Sequence, residues 1–210
     1  MSFATLTGNP GRIVDSRGKE MKMRTLILIM LLFTSLAVFA DEELWQMLQS
    51  EPNMVVLMRN AESSGNRDGA NMFVWDATGK CSGESTLTAV GREQAKGIGA
   101  VFAEHDVEPI VISSPMCRCM ETAKIAFGEY VTDPRLRQRP TTDSVGQEVF
   151  QAAARALLRK HRGNSPIVFV NHRPNIDAMT MELIKIGELL VGTVEEDGEI
   201  DILGKIRIVQ

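Results

Sequence analysis

The sequence predicts a three-layer α/β/α fold with a mainly parallel central sheet and a C-terminal antiparallel hairpin. Three observations lead there. Short apolar runs at Met54–Met58, Ile110–Ile112 and Ile167–Val170 alternate with segments of helical periodicity, the pattern of a parallel sheet covered on both faces. Each run is of strand length and is bounded by turn or charged residues, as buried strands are. Near the C-terminus, Leu189–Val194 and Ile200–Val209 flank Asp197-Gly198, a hairpin turn signal.

The elements follow in order. Asp41–Ser50 reads as a short amphipathic helix with Leu44, Met47 and Leu48 on one side, and Met54–Met58 as a buried strand. Ser63–Glu84 is rich in Gly, Asn and Asp and has no period; loops of that length within a compact domain are commonly functional. Thr88–Glu104 carries Val90, Ala95, Ile98, Val101 and Phe102 at helical spacing. After the second strand, Ser113-Ser114-Pro115 predicts a serine N-cap with proline in the first turn, opening a helix that runs to about Phe127. Val145–His161 is a further helix, stopped by Gly163 and Pro166. The third strand ends at Asn171-His172.

The N-terminal forty residues stand apart. Lys22 and Arg24 precede an apolar run from Leu26 to Phe39, which closes on Ala40 before Asp41-Glu42-Glu43. That is the layout of a secretory signal, and the run is shorter than the roughly 20 residues of a membrane-spanning helix. The expected organisation is an upstream extension over residues 1–20, a signal peptide over 21–40 cleaved after Ala40, and one domain over 41–210. The mature domain is then periplasmic or secreted, with no stable membrane span.

Composition narrows the function. The chain is 44% hydrophobic and 24% charged, near globular averages. Its net charge of −4 argues against a nucleic-acid partner, which usually requires a basic imbalance. Removing residues 1–40 takes away five basic and two acidic residues and leaves −7, so an anion would need a local basic pocket. Of the three cysteines, Cys81 is expected to pair with Cys117 or Cys119 in an oxidising compartment. Cys117 and Cys119 lie too close along one helix to bridge each other. The Cys and His residues lack zinc spacing, and no metal or other cofactor is expected.

The chemistry gathers at strand ends. The first strand ends in Arg59-Asn60, the second leads into the helix carrying Arg118, and the third ends in His172-Arg173. Ligands of open α/β sheets sit outside the carboxyl ends of the strands, so these residues converge without being near in sequence. Guanidinium groups match phosphate oxygens, and a helix starting near Pro115 would add free N–H groups. The pattern is that of an oxyanion pocket, most simply for a phosphate.

Four blocks make this specific. Val55-Val56-Leu57-Met58-Arg59-Asn60-Ala61-Glu62 resembles a strand followed by Arg-His-Gly/Ala-Glu. Thr88-Ala89-Val90-Gly91-Arg92-Glu93-Gln94-Ala95 resembles Leu-Thr-x-x-Gly-x-x-Gln-Ala. Ser113-Ser114-Pro115-Met116-Cys117-Arg118-Cys119-Met120-Glu121-Thr122-Ala123 resembles Ser-Ser-Pro-x-x-Arg-x-x-x-Thr-Ala, and Val168-Phe169-Val170-Asn171-His172 resembles a strand ending in a catalytic histidine. In this order, over most of residues 54–180, they resemble the histidine phosphatase (phosphoglycerate-mutase-like) superfamily. The cysteines near Arg118 resemble an exported bacterial subgroup.

The resemblance implies that Arg59, Arg118 and His172 hold the phosphoryl group, with Arg173 as a further contact or a solvent-facing cation. It also implies a nucleophilic histidine at position 60, where this chain has asparagine. An amide nitrogen gives its lone pair to the carbonyl and is a poor nucleophile. Covalent catalysis is therefore expected to be lost, while the amide can still donate to phosphate oxygen. Three readings follow: a silent module binding a phosphorylated small molecule or partner, a weakly active phosphomonoesterase using water or another nucleophile, or a relic pocket. A deliberate His→Asn change made to trap a substrate gives the same sequence. Glu62 matches the first block and could pair with an arginine, whereas His105 and His161, at helix ends, are expected to be structural. Asp68, Asp76, Asp133 and Asp143 are candidate general acids, and nothing in the sequence selects among them. Thr141-Thr142-Asp143-Ser144 stands where the family often has an acidic, tryptophan-containing segment, so the substrate is not readable.

Overall fold

The computed structural model describes residues 41–65, 72–140 and 142–208. The expectations for residues 1–40, and the positions of Asp68, Thr141 and Val209, lie outside the described residues. The described residues begin with helix α1 over 41–50, then β1 (Met54–Arg59), α2 (Ala89–Glu104), β2 (Ile110–Ser113) and α3 (Cys117–Phe127). Next come β3 (Val131–Thr132), a 3₁₀ turn (Pro134–Leu136), α4 (Ser144–His161), β4 (Ile167–Asn171), α5 (Arg173–Thr180), β5 (Glu188–Val194) and β6 (Ile200–Arg207).

The strands form one sheet in the order β3-β2-β4-β1-β5-β6. The β3-β2, β2-β4 and β4-β1 pairs are parallel, and the C-terminal hairpin adds two antiparallel strands beside β1. Gly198, at φ 87°, makes the turn in the predicted place. The period-2 alternation of a strand divides the sheet residues between two cores. Val56, Met58, Val168 and Val170 pack with Leu44 and Leu48 of α1, Ile98 and Phe102 of α2 and Ala123 of α3. Val55, Leu57, Ile167 and Phe169 face the other way, onto Phe150, Ala153 and Leu158 of α4 and Ile176 of α5. Because β1 and β4 are buried on both faces, they read as continuous apolar runs, as central parallel strands do.

One predicted detail is corrected. Helix α3 starts at Cys117, not Pro115, and its N-cap is Met116, which contributes no side-chain hydrogen bond. Ser114 Oγ pairs with His172 and accepts from Met116 N at 3.4 Å, ahead of the first helical residue. The cap comes from far along the chain, where Glu84 Oε2 accepts from Cys117 N at 2.8 Å. Three elements escaped the sequence reading, the two-residue β3, the 3₁₀ turn and the eight-residue α5. Among the described residues no helix is long and apolar enough to cross a membrane.

Candidate functional site

Parallel register aligns the carboxyl ends of three neighbouring strands. Arg59 pairs with Asn171 between β1 and β4, and Ser113 with Val170 between β2 and β4. The chain leaves each strand along the same edge. Asn60 N donates to Asn171 O, and Ser114 N to Val170 O, both at 3.0 Å. Thr122 of α3 ties the helix to this edge by accepting from Ala61 N at 3.1 Å and donating to Arg118 O at 2.7 Å.

A pocket of about 340 Å³ opens there. Arg59, Asn60, Gln138, His172, Arg173 and Pro174 line it, together with Gly65 and Met72 of the long loop. The structure therefore brings together Arg59, Asn60, His172 and Arg173 of the sequence-predicted residues. Arg118 lies behind the wall. It is fully buried, and its Nη2 donates to Gln138 Oε1 at 2.7 Å and to Met72 O at 3.0 Å. Among the described residues its Nε and Nη1 have no hydrogen-bond partner, and neither has Arg59 Nε. Arg59 Nη1 makes one long contact, 3.5 Å to Ile184 O. Arg173 sits at the rim, 57% exposed, 3.8 Å from Asp177 Oδ2.

His172 is the N-cap of α5 and is buried. Its backbone N donates to Asn171 Oδ1, which also accepts from Asn175 Nδ2, both at 2.9 Å. Its Nε2 lies 2.8 Å from Ser114 Oγ, and Cys119 Sγ sits 3.6 Å from its Nδ1. Burial, reinforced by Arg118 and Arg59, holds the imidazole well below its usual pKa of 6.5, so the ring is neutral at pH 7. Burial likewise lowers both guanidinium groups from their ordinary value, with Arg173 adding to the effect at Arg59, yet arginine stays charged. Burial pushes the Cys119 thiol up to about 12. Asn60 is buried, and its Nδ2 donates to Ala61 O at 2.8 Å.

Several other expectations are now settled. The disulfide joins Cys81 to Cys117, with Cα atoms 5.8 Å apart, and leaves Cys119 free. The helix N-terminus expected to receive an anion already holds one, because Glu84 accepts from Cys117 N. Glu62 engages a hydroxyl, its Oε1 accepting from Thr88 Oγ1 at 2.8 Å. His105 caps α2 and stacks on Trp45 with ring centroids 4.3 Å apart. Three candidate acids have structural work. Asp76 receives Thr78 and Ser82, which lower it to about 2; Asp133 pairs with Arg135, and Asp143 caps α4. No carboxylate lines the pocket among the described residues. Gln138 went unnoticed in the sequence; it lies in an extended stretch without periodicity, and only its contact with Arg118 marks it.

With this geometry in view, the chain is comparable to known proteins. Residues 55–156 match the profile of the Histidine phosphatase superfamily (branch 1). An acid phosphatase of Mycobacterium tuberculosis is 31% identical over 130 residues, a match covering 47% of this chain and 64% of that protein. The phosphoserine phosphatase of Entamoeba histolytica, solved with 3-phosphoglyceric acid, superimposes with a TM-score of 0.53 at 16% identity, covering 72% of this chain and 95% of its own. The protein histidine phosphatase SixA, solved with tungstate, gives a TM-score of 0.51 at 15% identity, covering 73% and 96%. Residues 55–156 thus resemble the histidine phosphatase superfamily in sequence pattern, and the fold is similar to that of the solved phosphatases.

Proposed function

We propose that the domain binds a phosphoryl group, carried by a small molecule or a partner, and that covalent phosphohistidine turnover is lost or severely impaired at Asn60. One observation carries the binding half. A buried Arg118 and a half-buried Arg59 leave Arg118 Nε and Nη1 and Arg59 Nε without partners among the described residues, beside a pocket whose described lining has no carboxylate. Unpaired buried donors cost about 1–3 kcal/mol each, and a phosphoryl oxygen relieves that cost. On this reading Arg59, Arg118 and Arg173 hold the oxygens and His172 contributes as a neutral imidazole. Phosphatases of this fold solved with phosphorylated or oxyanion ligands support it.

Asn60 carries the catalytic half. Its amide nitrogen has no available lone pair and already donates to Ala61 O. In a comparable triad enzyme, losing the nucleophile costs about 10⁶ in turnover, or roughly 8 kcal/mol. Positioning and charge alone retain about 10³–10⁴ over water. The domain is also exported on this reading, and the signal-like run over residues 21–40 with cleavage after Ala40 and the Cys81–Cys117 disulfide support that.

A second reading has its own observation. Ser114 Oγ lies 2.8 Å from His172 Nε2, the pairing of a hydroxyl with a base that activates nucleophiles. Ser114 is fully buried and does not line the pocket, so it ranks second. Calorimetric titration with phenyl phosphate and a hydrolysis assay on the same protein separate the two. Binding without turnover supports the first reading. Turnover that disappears in Ser114→Ala and leaves a phosphoserine adduct supports the second. Absence of binding refutes both.

A further inference from the structure

We propose that Gln138 is a ligand-contact residue and that, with Asn60, it makes the pocket a holder of phosphoryl dianions whose affinity follows the ligand's ionisation, not the protein's. The inference rests on the phosphoryl-binding reading above and specifies the charge state it takes.

The Gln138 side chain is fixed. The residue is 5% exposed, its backbone N points at Met116 Sδ at 3.3 Å, and its Oε1 accepts from Arg118 Nη2 at 2.7 Å. Turning the amide over would set its NH₂ against a guanidinium, so Oε1 stays on Arg118. Nε2, without a partner among the described residues, is then the donor that this pocket-lining residue presents. Arg118 thus orients a neutral N–H toward the ligand.

The choice of amide also sets the charge. A carboxylate at 138 would pair with Arg118 and cancel it, whereas the amide accepts the same hydrogen bond and leaves the positive charge to the ligand. Asn60 is likewise uncharged and untitratable. The remaining charged and titratable groups among the described residues come from several elements, with Asp143 at the start of α4 lying 3.3 Å from Arg139. The end of β1 gives Arg59, α3 gives Arg118 and Cys119, and the 134–139 segment gives Arg137 and Arg139 alongside Gln138. The β4–α5 junction gives His172, Arg173 and Asp177, and the long loop gives Glu84. Glu84 is held by Asp76 N and Cys117 N, and Asp177 lies against Arg173. His172 is neutral and Cys119 stays a thiol at these pH values. Cations that face the pocket with no carboxylate in its described lining select the more negative ligand.

Two probes test this on the purified protein. Sulfate is a dianion across pH 5–7.5, whereas a phosphomonoester acquires its second charge near pH 6. Phenyl phosphate should bind about tenfold more tightly at pH 7.5 than at pH 5, the change in its dianion fraction for a second pKa near 6, and sulfate affinity should stay level. In Gln138→Met, sulfate binding should weaken about tenfold through loss of a charge-assisted donor. In Gln138→Glu it should weaken at least about tenfold across pH 5–7.5, because a carboxyl paired with Arg118 stays ionised over that range. Sulfate affinity of the natural protein that changes severalfold between pH 5 and 7.5 overturns the proposal, and so does a folded Gln138→Met that binds like the natural protein. Failure of the natural protein to bind either probe overturns the phosphoryl-binding reading itself.

Discussion

Arg118→Met separates a ligand-holding arginine from a structural one, because the two roles predict different changes in stability. Methionine has nearly the length of arginine and no charge. The substitution removes Nε and Nη1, two buried nitrogens without partners among the described residues, at about 1–3 kcal/mol of relieved desolvation each. It also removes two hydrogen bonds to oxygen, to Gln138 Oε1 and Met72 O, and a 3.6 Å contact with Met116 Sδ; from a charged donor the two bonds to oxygen are worth about 3–6 kcal/mol together. Glu84 loses a nearby cation but keeps two backbone N–H donors. The gains and losses nearly cancel, so stability should change little, whereas an arginine held as a structural charge partner would cost about 3–5 kcal/mol on removal. For a domain of this size that cost would lower Tm by about 6–20 °C. Phenyl phosphate affinity should meanwhile fall about thirtyfold or more, the minimum for losing one partner of a buried charge pair. Thermal denaturation and calorimetric titration read the two effects. A variant that melts well below the natural protein and binds as tightly would refute the reasoning, since Arg118 would then be part of the framework.

Other predictions follow from the same structure. His172 is held neutral far below 6.5, whereas in the unfolded chain it gains a proton near pH 6.5. The unfolded state therefore binds more protons as pH falls below that value, and stability drops by up to about 1.4 kcal/mol per pH unit. Urea denaturation between pH 7.5 and 5.5 should show this slope, and it should be shallower in a folded His172→Gln variant; equal slopes would contradict it. The Cys81–Cys117 disulfide closes a separation of 36 residues, which corresponds to about 4 kcal/mol of chain entropy. Reduction should lower Tm by roughly 8–16 °C, and an unchanged Tm would count against the bond as a stabilising element. Cys119 is buried and its thiol lies near 12, so alkylation at pH 8 should label no cysteine in the native protein. Cys119 alone should be labelled on denaturation and all three residues after reduction, whereas native labelling would place Cys119 at the surface. Phe169→Ala removes a fully buried ring from the central sheet and should cost about 3–5 kcal/mol by chemical denaturation; a cost under 1 kcal/mol would contradict the two-core description.

The strands were legible because β1 and β4 are covered on both faces and admit only apolar residues. Arg59, Asn60 and His172 were legible as a group because each stands at the end of such a strand, where parallel register brings them to one edge. What escaped depends on contacts distant in sequence. The cap of α3 comes from Glu84, 33 residues before Cys117, so the local Ser-Pro signal pointed two residues too early. Helix α5 is short and buries only Asn175 and Ile176, too little for an apolar stripe. Gln138 gains its place from Arg118, 20 residues upstream, and an isolated glutamine in an extended segment carries no signal of its own. The retreat of Arg118 behind Gln138 and Met72 is equally a matter of packing.

The measurement that bears most directly on the central claim is hydrolysis of an aryl phosphate by the natural protein and by Asn60→His, with acid-quenched samples examined for phosphohistidine. The account predicts that the natural protein binds the ester without detectable turnover or adduct. Asn60→His should form a phosphohistidine at position 60 and release phosphate, because Arg59 and His172 already line the pocket beside that position. Turnover by the natural protein that is lost in His172→Ala, or an Asn60→His protein that binds the ester and forms no adduct, would contradict it.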